Sequence, residues 1–143
     1  MDYVIKKERL TPVEYIAFLR RCDLGSQYPA ERFETRIKTL LDKASISLSA
    51  RDNNGELIGI CLGITDFAYW LFITDLGVAR DFTGRGIGRA LVSQTHKEAG
   101  GADDITMYVC ANDNAVAFYE KLGMKHSDDV MVLGCTEWTD FTV

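Results

Sequence analysis

Residues 78 to 92 read VARDFTGRGIGRALV, with glycines at alternate positions (Gly84, Gly86, Gly88) and arginines at Arg85 and Arg89. Glycine lacks Cβ and tolerates positive φ, and a helix that opens at such a turn presents unpaired N–H groups and partial positive charge. That combination attracts anions, phosphates above all. One glycine serves a simple helix start; three alternating glycines with interleaved arginines fit a phosphate cradle better. Other reactive residue types lie nearby. Asp75 sits inside the apolar run LFITDLGV, where a carboxylate must be paired, face a cleft or shift its pKa. Tyr119 lies in NDNAVAFYEKLGM, and its phenol, with a reference pKa of about 10, is protonated at neutral pH. Spacing alone favours packing for it, beside Phe118 and Leu122. Asn112 opens the same stretch and suits a helix cap. Cys110 has no histidine placed by sequence to activate it and reads as a packing residue.

These residues need elements to position them. YVIKKERL (3–10) reads as a first strand. TPVEYIAFLRRCDLG carries helix signals in Thr11 as N-cap, Pro12 at the first turn, Glu14 three residues after the cap, and Gly25 beyond the end. A second helix over 30–44 sets Ala30, Phe33, Ile37, Leu40, Leu41 and Ala44 on one face. Alternation then takes over, with strands over 45–51 and 56–65 joined by Asn54-Gly55, a tight-hairpin dipeptide. YWLFITDLGV (69–78) is apolar on both faces and predicts a central strand. The glycine turn and a helix to about Ala99 follow, then a strand over 105–110 and a helix over 113–122. Weaker strands are expected at 124–127 and 130–135. The order is β-α-α-β-β-β-α-β-α-β-β, and the unit around the glycines requires parallel flanking strands.

Two familiar phosphate loops fail on placement. The P-loop needs a lysine directly after its last glycine, and none follows here. The dinucleotide fingerprint wants a third glycine where Leu91 stands, and an acid closing the next strand, whereas Asp103 and Asp104 precede it. What remains is a GxGxG loop between a central strand and a helix.

GVARDFTGRGIGRALV resembles the pyrophosphate-binding signature of the GNAT superfamily of N-acetyltransferases. NDNAVAFYEKLGM resembles that family's downstream motif, in which N-x-x-A-x-x-F-Y-E-K-x-G precedes an apolar residue. The resemblance implies one domain over 1–143 of α/β class: a mixed sheet of six to seven strands, a splayed pair of parallel central strands and about four helices. It implies acetyl-CoA as acyl donor and no metal. The pyrophosphate would lie on the N–H groups of Gly84, Arg85, Gly86, Ile87, Gly88 and Arg89, and the pantetheine arm along Leu76, Gly77 and Val78. Asn112 would touch that arm as well as cap its helix. Thr83 departs from the family, which usually carries Arg or Gln there, and Arg80, Arg85 and Arg89 are the cations placed to compensate.

Acyl transfer to an amine needs the amine deprotonated, the oxyanion stabilised and the departing thiolate protonated. By resemblance Tyr119 takes the last role. Asp75 either binds or deprotonates the amine or is a hydrogen-bonded structural aspartate. Asp66 and Tyr69 are weaker candidates for the acceptor pocket. A coenzyme A-binding sensor without turnover, or an enzyme acting on protein amines, are the alternatives to a small-molecule amine acetyltransferase.

Bulk properties narrow the classes. The 143 residues, 47% apolar and 26% charged, suit a globular protein with one sizeable core. A net charge of −5 argues against nucleic acid as partner and fits a cationic amine. Four dispersed cysteines and two histidines give no metal constellation. With neither a signal-like start nor a membrane-length apolar run, a cytoplasmic location and no membrane partner are expected. The aromatic C-terminal stretch CTEWTDFTV is a candidate homodimer surface.

Overall fold

The computed structural model describes residues 2–26 and 28–134. Five strands form one sheet in the order β1 (Tyr3–Lys7), β2 (Ile46–Asp52), β3 (Leu57–Thr65), β4 (Trp70–Val78), β5 (Thr106–Val109). The first four pair antiparallel, and β5 joins β4 in parallel, so the sheet is mixed. Four α-helices accompany it: α1 (Pro12–Leu19), α2 (Phe33–Lys43), α3 (Ile87–Ala99) and α4 (Val116–Lys121). The expected α/β class, mixed sheet and helix count hold, but among the described residues the sheet has five strands rather than six to seven. No strand forms over 124–127 or over the described part of 130–135. Val130 to Leu133 lie exposed, Leu133 at 98%. A short β-prone run does not fix its own pairing when no face is buried. The CTEWTDFTV stretch lies outside the described residues.

Two apolar layers sandwich the sheet. On one face Tyr15, Phe18 and Leu19 of α1 and Ile37 and Leu41 of α2 pack against Leu57, Ile60 and Leu62 of β3. On the other, Ile87, Leu91 and Ala99 of α3 cover Leu48, Ile58, Cys61, Leu71 and Ile73. Each fully buried aliphatic chain contributes about 1.5–3 kcal/mol relative to exposure. α1 begins as its sequence signals: the Thr11 hydroxyl accepts from Glu14 N at 3.2 Å, with Pro12 in the first turn. Arg51 of β2 then ties Glu14 to Glu8, bonding the two carboxylates at 2.8 and 2.7 Å. α1 stops at Leu19, earlier than its pattern suggests. Arg80 explains this, because its guanidinium binds the carbonyls of Arg20 (2.9 Å) and Cys22 (3.1 Å) and the Asp23 carboxylate (2.9 Å). A second short helical turn follows at Asp23–Ser26.

A bulge in β4 decides which way its side chains point. Ile73 pairs with Gly63 and Asp75 with Leu62, leaving Thr74 as an extra residue. Strict alternation would send Leu71, Ile73, Asp75 and Gly77 to one face. Instead Leu71 and Ile73 pack towards α3, whereas Asp75 and Gly77 turn to the α1 side. At Gly77 an added Cβ would lie 3.3 Å from Cys22 Sγ, Leu24 Cδ2 and Phe18 Cε1 alike. Overpacking of that kind costs about 1–3 kcal/mol, so Gly77→Ala is expected to lower the urea midpoint by that equivalent; an unchanged midpoint would show that the α1 turn yields freely.

Candidate active site

The parallel pairing of β4 with β5 runs only from Trp70 opposite Thr106 to Ile73 opposite Val109. β5 ends there as the chain turns towards α4. From Thr74 to Val78, β4 keeps β3 on one side, while the β5 ladder does not extend along the other. The backbone of Leu76, Gly77 and Val78 therefore borders an opening in the sheet, where polar groups call for a partner. The family resemblance implies a splayed parallel pair at this place, and the β4–β5 ladder ends at Ile73 and Val109.

Beyond Val78 the chain makes one short helical turn, Arg80–Phe82, and enters the glycine turn. Gly84 and Gly86 adopt φ of +76° and +82°, and beyond the adjoining residues no described atom lies within 4 Å of where a Cβ would stand at either. Gly86 is the N-cap of α3, and the first helical bond there runs from Ala90 N to Gly86 O at 3.0 Å. The N–H groups of Ile87, Gly88 and Arg89 lie in the first turn of α3, where the helix itself offers them no carbonyl. At Gly88 a Cβ would stand at ordinary contact distance, 3.4 Å, from the Phe118 ring of α4, which places α4 beside the start of α3.

The cations around this turn are unequal. Arg80 is committed to the turn after α1, so it does not compensate for Thr83. Thr83 itself donates its hydroxyl to Arg80 O at 3.0 Å. Arg85 lies with its guanidinium 5.1 Å from the Phe82 ring centroid, and Arg89 is exposed.

The other predicted residues divide clearly. Tyr119 is buried on α4, its ring edge-on to Phe118 at 5.0 Å. Burial, with a lesser contribution from the Cys61 thiol, pushes its phenol pKa well above the usual value, so it remains a proton donor. Asn112 caps the turn into α4, accepting from Ala115 N at 3.0 Å. Asp66 accepts N–H bonds from Ala68, Tyr69 and Trp70 at 2.9, 2.8 and 3.0 Å, which hold its carboxyl below the usual range; it shapes the β3–β4 turn. Tyr69 is exposed on that turn. Cys110 is exposed as well, contrary to its reading as a packing residue, because it follows the last residue of β5 rather than lying within it. A cleft of about 370 Å³ lies beside β5, α4 and residues 124–130, and none of the predicted site residues lines it.

Asp75 is 6% exposed, with burial raising its pKa against the opposing hydrogen bond of Tyr28. Tyr28 donates to Asp75 Oδ1, and Tyr15 and Tyr28 join hydroxyls at 2.7 Å. Sequence reasoning passed over both tyrosines. Tyr15 sits on the inner face of α1 and looks like core, and Tyr28 falls between helices, 47 residues from its partner. A raised folded pKa means that Asp75 contributes stability fully below its unfolded value of about 3.8, and loses it as pH rises through the folded value. The unfolding free energy of the wild type should therefore fall with pH across that window relative to Asp75→Asn; parallel curves would contradict the shift.

The description of the Acetyltransferase (GNAT) family matches residues 13–124, which takes in α1, the β4 opening, the glycine turn and the Tyr119 helix. The chain belongs to the GNAT family of acetyltransferases. An acetyltransferase of Sodalis glossinidius (strain morsitans) is 32% identical over 126 residues, 85% of each chain. A mycothiol acetyltransferase of Propionibacterium freudenreichii subsp. shermanii is 29% identical over 130 residues, and this chain spans 39% of its length. A third relative, an N-acetyltransferase of Pyropia yezoensis, is spanned over 56% of its length. Among solved structures, a GNAT family acetyltransferase of Streptococcus pneumoniae superposes with TM-score 0.72 at 16% identity, covering 95% of this chain and 98% of that one. The Escherichia coli protein YhbS, solved in complex with CoA, gives 0.64 at 20% identity, covering 86% and 68%. The GNAT chain is thus an acyltransferase, as its two motifs imply. Among its described residues, no helix is long and apolar enough to cross a membrane, and no group of three or more His, Cys, Asp or Glu is gathered to hold a metal ion.

Proposed function

We propose that this acetyltransferase moves the acetyl group of acetyl-CoA to a primary amine of a small molecule, with donor and acceptor bound together. One observation carries the reading: the edge of β4 beyond Ile73, past the end of the β5 ladder, is followed after one short helical turn (Arg80–Phe82) by the glycine turn at the start of α3. A donor with amides along its arm and a diphosphate at its end matches that sequence of groups. Leu76, Gly77 and Val78 offer backbone partners to the amides, and the N–H groups from Gly84 to Arg89 meet the diphosphate. Coenzyme A is also the ligand in the E. coli relative's structure. When bound, acetyl-CoA supplies an acetyl group activated as a thioester.

The chain's own residues then divide the remaining work. Tyr119 holds its proton at neutral pH and serves as the acid for the departing thiolate. Asp75 lies on the α1 face of β4 and provides the negative end for an amine. It has no ion-pair partner among the described residues. A buried carboxyl without a protein cation favours a cationic acceptor, in keeping with the chain's net charge of −5. The test is to incubate the protein with acetyl-CoA and primary amines such as polyamines, amino sugars and amino-acid derivatives, and to look for N-acetylated product by mass spectrometry. Product from at least one cationic amine is expected. Cofactor binding without any acetylated amine would favour a sensor, and acetylation of protein lysines alone would move the acceptor class.

A further inference from the structure

Tyr15, Tyr28 and Asp75 form a continuous hydrogen-bonded row in the α1 face of the sheet, exposed only 0%, 6% and 6%. A phenol has one proton to give. With Asp75 ionised, the Tyr28 proton is committed to Oδ1, so the Tyr28 oxygen accepts and Tyr15 must be its donor. The row therefore has a direction, from Tyr15 through Tyr28 to the carboxylate. Its far end is closed, because Tyr15 is fully enclosed, so the row anchors the carboxylate and leads to no opening behind Tyr15. Tyr28 also stands in the connection to α2, so the bond joins that connection to β4.

We infer that Tyr28, backed by Tyr15, is a positioning residue that fixes the Asp75 carboxyl towards the acceptor amine. This rests on reading Asp75 as the amine-facing acid. The groups around Asp75 are Tyr28 from the α2 connection, Tyr15 from α1, Thr74 beside it on β4 and Cys61 from β3. Cys22, from the turn after α1, acts on both tyrosines. None of these is a cation. The charged form of Asp75 therefore depends on a neutral donor, the Tyr28 hydroxyl, because the Thr74 hydroxyl donates to Leu62 O at 3.3 Å. The Tyr28 bond favours the carboxylate, and burial opposes it. Polarisation by Tyr15 makes Tyr28 the stronger donor.

The experiment is a ¹³C titration of the Asp75 carboxyl, its resonance assigned by loss in Asp75→Asn, in wild type, Tyr28→Phe and Tyr15→Phe. Removing the Tyr28 hydroxyl is expected to raise the Asp75 pKa by roughly one unit. Removing that of Tyr15 should move it less, in the same direction. The acid limb of kcat/KM, measured with an accepted amine, should shift up with it. An Asp75 titration unmoved in both variants overturns the inference, including where melting temperature falls, since a purely packing role predicts that pattern. The titration needs no substrate. A shifted Asp75 in a wild-type protein that acetylates no amine upholds the anchor and counts against the acetyl-transfer reading alone.

Discussion

Gly86→Val lowers the affinity for coenzyme A roughly tenfold to a hundredfold, while the folded state loses only about 1–2 kcal/mol. The two effects have separate causes. At φ +82° an L-residue is strained whatever the surroundings, and beyond the adjoining residues no described atom lies within 4 Å of the new Cβ to add a clash. The stability cost is therefore a backbone cost. The affinity cost arises because the side chain fills the space before the helix N–H groups and takes about 1.5–3 kcal/mol of charge-assisted bonding with it. A matched control lies in the β2–β3 hairpin, where Gly55 has φ +80° and an equally open Cβ position. Gly55→Val should lose comparable stability and none of the affinity. Titration calorimetry and urea unfolding of both variants separate the terms. Unchanged coenzyme A affinity in Gly86→Val would remove the phosphate role from this turn.

Tyr119→Phe is the second large effect, a fall in kcat of about 10²-fold or more with coenzyme A affinity preserved. Phenylalanine keeps the ring and its edge-on packing against Phe118, so only the hydroxyl is lost. Because the phenol pKa lies well above the usual value, the tyrosine stays protonated through pH 10, and it should add no basic limb to the wild-type pH–rate profile below that point. Full activity in the variant would reduce Tyr119 to a packing residue.

The parts of this site that were legible in the sequence are those fixed by local chemistry. The alternating glycines imply positive φ and an open helix start, and Gly84 and Gly86 have both. Asn112 caps the turn into α4, and Asn54-Gly55 makes the hairpin, for reasons contained within a few residues. What escaped depends on distant partners. The end of α1 is set by Arg80, some 60 residues away in sequence. The bulge at Thr74 has no signature in LFITDLGV, yet it turns Asp75 away from α3 and towards Tyr28. No strand forms over 124–127 or the described part of 130–135, where Val130 to Leu133 have no buried face to hold one. The surroundings of Asp75 are the least legible, because Tyr15 looks like core on α1 and Tyr28 falls between helices, far from Asp75 in sequence.

The measurement that bears most directly on the account is amine-dependent release of free coenzyme A thiol from acetyl-CoA, with the wild type and Tyr119→Phe side by side. Release by the wild type with a cationic primary amine, slowed about 10²-fold in the variant, is the predicted result. A protein that binds acetyl-CoA, as judged by a raised melting temperature, yet releases no thiol with any amine would contradict it.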